Sequence, residues 1–135
     1  MMKLSDVRDY IDTLKIGETV YMGTLDAKED KSIGVYKSKH SNAYKTAIGG
    51  SKLQSYGAKY VTLLIHWNKS LRETETAAFK LFKEFETARE VTINESKIKF
   101  VQLLVDEPVD VGTDNKGIYE MVIEAAIIYE KQEVE

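Results

Sequence analysis

The chain has 135 residues, a formal net charge of −3, 30% charged and 43% hydrophobic residues, the composition of one folded domain, 1–135, with an ordinary core. It has no cysteine, which excludes a disulfide framework, a thiolate metal site and a cysteine nucleophile. Its longest nearly apolar run, 121–129, contains Glu124 and is too short to span a bilayer, and residues 1–6 read as too polar for a secretory signal.

Leu4, Val7, Ile11 and Leu14 recur at spacings of three and four, with Asp6, Arg8, Asp9 and Asp12 between them. This predicts a short amphipathic helix opened by Ser5 and closed near Gly17. Residues 19–25 (TVYMGTL) and 32–37 (SIGVYK) are rich in β-formers and flank a polar turn, so they read as two strands joined as a hairpin. Residues 38–56 hold Ser, Asn, Gly and Lys without a persistent period, a long connection of the kind that carries function or moves. Residues 59–67 (KYVTLLIHW) alternate with apolar groups on both faces, the pattern of a central strand. Ser70 and Glu73 match a capping box, and Leu71, Thr74, Ala78, Leu81, Phe82, Phe85 and Ala88 form the apolar stripe of a long helix over 70–89. Residues 91–93 read as a short strand or linker, and 99–105 as a strand ended at Pro108. Residues 109–116 read as a polar loop, and 118–129 as a last strand with Tyr119, Met121, Ile123, Ala125 and Ile127 on one face. The tail 130–135 is acidic and expected to fray. The order predicts an α+β domain: an antiparallel or mixed sheet of about five strands, with the N-terminal helix and the long helix packed on one face.

Charge is sorted along the chain. From Lys31 to Arg72 there are eight basic residues and no acidic one; the remainder carries eleven basic and twenty-two acidic residues. One cationic and one anionic side favour ordered association or contact with a polyanion.

No catalytic constellation is legible. Gly49-Gly50-Ser51-Lys52 lacks the glycine spacing of a phosphate loop and reads as a flexible turn. His40 and His66 are the only imidazoles; no sequence neighbour supplies an orienting carboxylate or a nucleophile, so they read as structural or surface histidines. Without cysteine they give no zinc signature. Asp106, Glu107, Asp110 and Asp114 gather around one loop but lack the spacing of a calcium loop, which leaves a solvated acidic loop. Glu120 and Glu124 share the outward face of the last strand, as a carboxylate pair or as charges that discourage edge pairing. The residues therefore predict a protein that is not an enzyme and holds no cofactor or metal. The basic stretch 31–59, with Lys31, Lys37, Lys39, Lys45, Lys52 and Lys59 and the interleaved Tyr36, Tyr44, Tyr56 and Tyr60, keeps a nucleic-acid-binding module open. A basic patch on one subunit meeting an acidic patch on the next explains the segregation equally well.

Ile33-Gly34-Val35-Tyr36, the run 64–70 (LIHWNKS) with Glu73-Thr74-Glu75, and above all 107–114 (EPVDVGTD) leading into 116–120 (KGIYE) resemble the minor capsid proteins of long-tailed bacteriophages and prophages, which are similar to the tail-terminator family. The resemblance runs from the first helix to about Tyr129. It implies an α+β subunit of a hexameric ring that caps the tail tube, receives the filled head and lets genome DNA through its centre. The implied partners are further copies of the chain, a tail tube protein and a head-completion protein, with no membrane. The implied locations are the virion and, during assembly, the bacterial cytoplasm. The candidate assembly residues on this reading are Lys37, Lys39, Lys45, Asp106, Glu107, Asp110 and Asp114. The alternative is a small polyanion-binding module using the stretch 31–59.

Overall fold

A computed structural model describes residues 2–23, 29–38 and 56–131. Their elements are α1 (Leu4–Thr13), β1 (Thr19–Met22), β2 (Ser32–Lys37), β3 (Tyr56–His66), α2 (Leu71–Thr87), β4 (Arg89–Ile93), β5 (Ser96–Leu103), β6 (Val109–Thr113) and β7 (Tyr119–Glu130). One seven-stranded sheet runs in the order β1-β2-β3-β7-β5-β4, and β6 pairs with the first half of β7. β1 runs parallel to β2 and every other pair is antiparallel. The α+β class and the mixed sheet match expectation; seven strands replace about five.

Period-two alternation gives the sheet its inner face. Ile33, Val35, Val61, Leu63, Ile65, Ile123 and Ile127 are all fully buried there. α2 brings Ala78, Leu81 and Phe85 onto that face, and α1 brings Val7 and Ile11. Each of the Val, Leu, Ile and Phe side chains contributes about 1.5–3 kcal/mol relative to exposure. The rings of Tyr10 and Phe85 meet at 5.8 Å, so both helices share one layer on one side of the sheet. α1 touches β1 and β2 at one end of the strand order and β4 at the other. Asn94, in the β4–β5 turn, donates to Asp6 Oδ1 at 2.7 Å and to Asp9 Oδ2 at 3.1 Å. The sheet therefore curls around α1, and its two ends close upon that helix.

Several expectations are corrected. The hairpin reading of the first two strands fails. Glu18 N–H donates to Lys31 O at 2.7 Å and Gly23 N–H to Val35 O at 2.9 Å, which lays β1 parallel to β2. Parallel pairing needs a crossover rather than a tight turn, and nine residues, 23–31, separate these two short strands in the chain. The polar loop at 109–116 contains a strand, β6. Asp and Gly within it hide the strand propensity. The register shifts between Asp110 and Gly112, where Asp110 Oδ1 accepts from Gly112 N–H at 2.8 Å. Of the two readings of residues 91–93, strand or linker, the strand holds: they form part of β4. The first helix opens one turn edge earlier than Ser5: Lys3 is its N-cap, and Lys3 N–H donates to Asp6 Oδ2 at 2.8 Å. Lys15 takes the left-handed conformation after that helix. Gly17 instead allows close approach, since a Cβ there would meet Ile33 at 3.2 Å.

The start of α2 follows the sequence signal with one change. Ser70 Oγ accepts from Glu73 N–H at 3.2 Å, the forward half of a capping box. The return half is made by Asn68, whose Oδ1 accepts from Ser70 N–H while its amide donates to Glu73 Oε1 at 2.8 Å.

Candidate assembly surface

The histidine singled out by sequence lies at the end of β3 and is fully buried. His66 Nε2 lies 2.9 Å from Asp114 Oδ2, and Nδ1 lies 2.9 Å from the backbone carbonyl of Glu29. Both ring nitrogens are thus engaged by oxygen atoms of the fold. Asp114 Oδ1 accepts from the N–H groups of Lys116 and Ile118. The hydrogen bond from His66, aided by that from Ile118 N–H, holds the Asp114 carboxyl at about 2, below its ordinary 3.8. Glu120, opposite His66 in the register, shifts upward because it is partly buried and sees the charge of Asp114. With both nitrogens hydrogen-bonded within the fold, His66 offers neither of them to a substrate. The trio is a structural clamp that ties the link between β1 and β2, the end of β3 and the β6–β7 turn.

The other sequence candidates separate in space. Asp106, Glu107 and Asp110 are exposed on the β5–β6 loop and β6, whereas Asp114 turns inward to the clamp. Lys37 is exposed at the end of β2, two strands from β7. Lys39 and Lys45, and His40 with them, lie outside the described residues. Glu120 and Glu124 share a face, but four residues of strand hold them about 13 Å apart, too far for one reacting bond. Glu124 Oε1 accepts from Ser38 and Thr62 hydroxyls at 3.0 Å each. Among the described residues no three His, Asp or Glu side chains converge to hold a metal ion, and no helix is long and apolar enough to cross a membrane.

Two grooves flank the outer ridge of α2. One, of about 360 Å³, lies between α2 and β6 and includes Glu75, Phe79, Glu107, Pro108, Val109 and Asp110. Phe79 and Val109 are each 44% exposed and Val111, next along β6, is 49% exposed. The second, of about 380 Å³, lies between α2, the end of β3 and the α1–β1 connection. Its floor is Ile16, Trp67 and Ala77, and Arg72 and Lys80 stand on its wall. Among the described residues the only carboxylate lining it, Glu73, accepts from Asn68. Sheet edges elsewhere are blunted. Arg8 Nε donates to the Val20 carbonyl on β1 at 3.1 Å. On β4, Glu90 has a positive φ and pairs with Lys97 and Lys99. The β6 edge, by contrast, presents Val109 and Val111.

The described surface thus offers docking features and a histidine whose ring nitrogens are both occupied. The family model for the bacteriophage tail terminator protein matches residues 10–131. The chain belongs to the bacteriophage tail terminator family. No curated protein matches it. As a tail terminator it has a structural role in a phage tail, as a component of the virion, and the family implies oligomeric assembly. The match covers the clamp, both α2 grooves and all strands of the sheet, β7 included. Sequence reasoning missed the His66–Asp114 pair because 48 residues separate the partners; the only local signal was a histidine inside a strongly apolar strand. It also missed Phe79 and Glu75, which the helical pattern places off the core stripe but does not place beside β6.

Proposed function

We propose that the chain is the subunit of a hexameric ring that ends the tail tube and receives the head, with the genome passing through its lumen. The observation that carries this reading is the family match to residues 10–131. The separation of an acidic, apolar groove from a cationic one on the same helix agrees with it, since a ring subunit needs two unlike contact surfaces. On this reading Lys37, Lys39, Lys45, Asp106, Glu107 and Asp110 belong to the surfaces that meet neighbouring copies, the tube protein or the head-completion protein. Asp114 acts indirectly, by fixing the β6–β7 turn. The protein turns over no substrate and needs no cofactor. The test is composition and assembly: gradient-purified particles contain about six copies per tail, and electron microscopy places them at the head-proximal end of the tube. Particles with intact tails that lack the protein would remove this reading.

The basic stretch 31–59 supports the second reading, a polyanion-binding module, through its uniform charge. It predicts DNA binding whose affinity falls steeply with salt. Absence of binding at low salt dismisses it.

A further inference from the structure

The two grooves beside α2 carry complementary chemistry. The β6-side groove has an apolar base, with Phe79 and Val109 exposed, under three carboxylates, Glu75, Glu107 and Asp110. Its counterpart has an apolar floor of Trp67, Ile16 and Ala77 under Arg72 and Lys80. They are alike in size, about 360 and 380 Å³. A groove of either kind repels its own copy: acidic on acidic, or cationic on cationic. Each attracts the other. From this we infer that copies join head to tail, with the Phe79–Val109 groove of one subunit seated on the Arg72–Lys80 flank of α2 in the next. The occupant of the acidic groove is thus a second copy of this chain, an assignment that rests on the ring reading. Because the two patches differ, each contact leaves one unused patch at either end, so the contact repeats until the rotation closes. The exposed phenylalanine supplies apolar area at the centre, and the charges around it fix the partner and the register.

The test uses charge reversal on the full chain. One variant carries Glu75→Lys with Glu107→Lys; the other carries Arg72→Glu with Lys80→Glu. All four side chains are exposed, so both variants should melt close to the wild type. Sedimentation velocity and cross-linking are expected to show wild-type association, and at least tenfold weaker association of each variant alone. An equimolar mixture should recover it, because every junction in an alternating ring then joins opposite charges. A third variant, Phe79→Ser, should weaken association without any charge change, and it keeps the test open if a reversal variant misfolds. Unaltered association of the variants, a mixture that fails to recover, or a wild type that stays monomeric up to millimolar concentration would each overturn the inference. The ring reading itself is judged separately, by whether purified particles contain the protein.

Discussion

Both ring nitrogens of His66 are hydrogen-bonded, and at the residue scale this makes it the joint on which three chain segments depend. His66→Ala removes a fully buried ring and takes one donor each from the Glu29 carbonyl, which keeps the Ser32 hydroxyl, and from Asp114 Oδ2. The cavity and the lost donors together should cost about 2–4 kcal/mol, read as a lower urea midpoint at unchanged slope. Asp114 gives the same clamp a pH signature. Its folded value, about 2, lies below the ordinary 3.8, so its ionised form is favoured by folding. That contribution is complete above about pH 4 and is lost as pH falls through about 2. Asp114→Asn should therefore be less stable at neutral pH, and its midpoint should fall less steeply than the wild type's between about pH 4 and 2. Parallel acid limbs for the two proteins would show that the carboxylate is not held by His66. Gly57 shows the opposite kind of constraint. It pairs with Tyr129 across the sheet, and a Cβ there would come within 2.6 Å of the Tyr129 ring. Tyr129 is 7% exposed and has little room to retreat. Gly57→Ala should cost about 1–3 kcal/mol in thermal or denaturant unfolding.

Among the elements, those with strong local signals were legible and those defined by pairing were not. α2 was readable because Ser70, Glu73 and the stripe Thr74-Ala78-Leu81-Phe85 agree with one another before any tertiary contact forms. β3 and β7 were readable because alternation persists over many residues, and they became the two central strands. β6 was not, because VDVGT is a poor strand in isolation and exists by lying against β7. The parallel pairing of β1 with β2 was equally hidden: it depends on Glu18 and Gly23 reaching β2 from either side, which no local pattern encodes. The candidate surface follows the same division. Exposure of Asp106, Glu107 and Asp110 was readable from their polarity. The removal of Asp114 into the clamp and the approach of Phe79 to Val109 needed the fold. Val111 tests how much the new edge matters. Lysine is a common blunting residue on strand edges, and this position is 49% exposed. Val111→Lys should change stability by no more than about 0.5 kcal/mol and should weaken assembly, measured by calorimetry and sedimentation on the same sample. A variant that unfolds would mean that β6 belongs to the core rather than to a contact surface.

For the whole molecule, net charge says little and its arrangement says more. A chain at −3 carries eight cations on one stretch of 42 residues that contains no acid. Like copies of such a molecule repel weakly as net charges but attract strongly where unlike regions face each other. The two contributions respond differently to salt. At about 0.1 M ionic strength charges screen each other beyond roughly 10 Å, and at about 1 M beyond roughly 3 Å. Net repulsion acts at long range and is screened first, while close pairing across a desolvated contact survives longer. Association driven by complementary patches should therefore weaken steadily from about 0.1 to 1 M salt, first through slower encounter and then through faster dissociation. Association driven by Phe79, Val109 and Val111 alone should hold or strengthen in sulfate over the same range. Sedimentation velocity in sodium chloride and in sodium sulfate separates the two. We expect a decline in chloride in the wild type and a smaller slope in the Glu75→Lys, Glu107→Lys variant, because that variant has already lost the paired charges that salt would screen. Equal slopes in the two proteins would place the salt-sensitive contact elsewhere on the molecule, and the lysines of the stretch 31–59 would then be the residues to alter next.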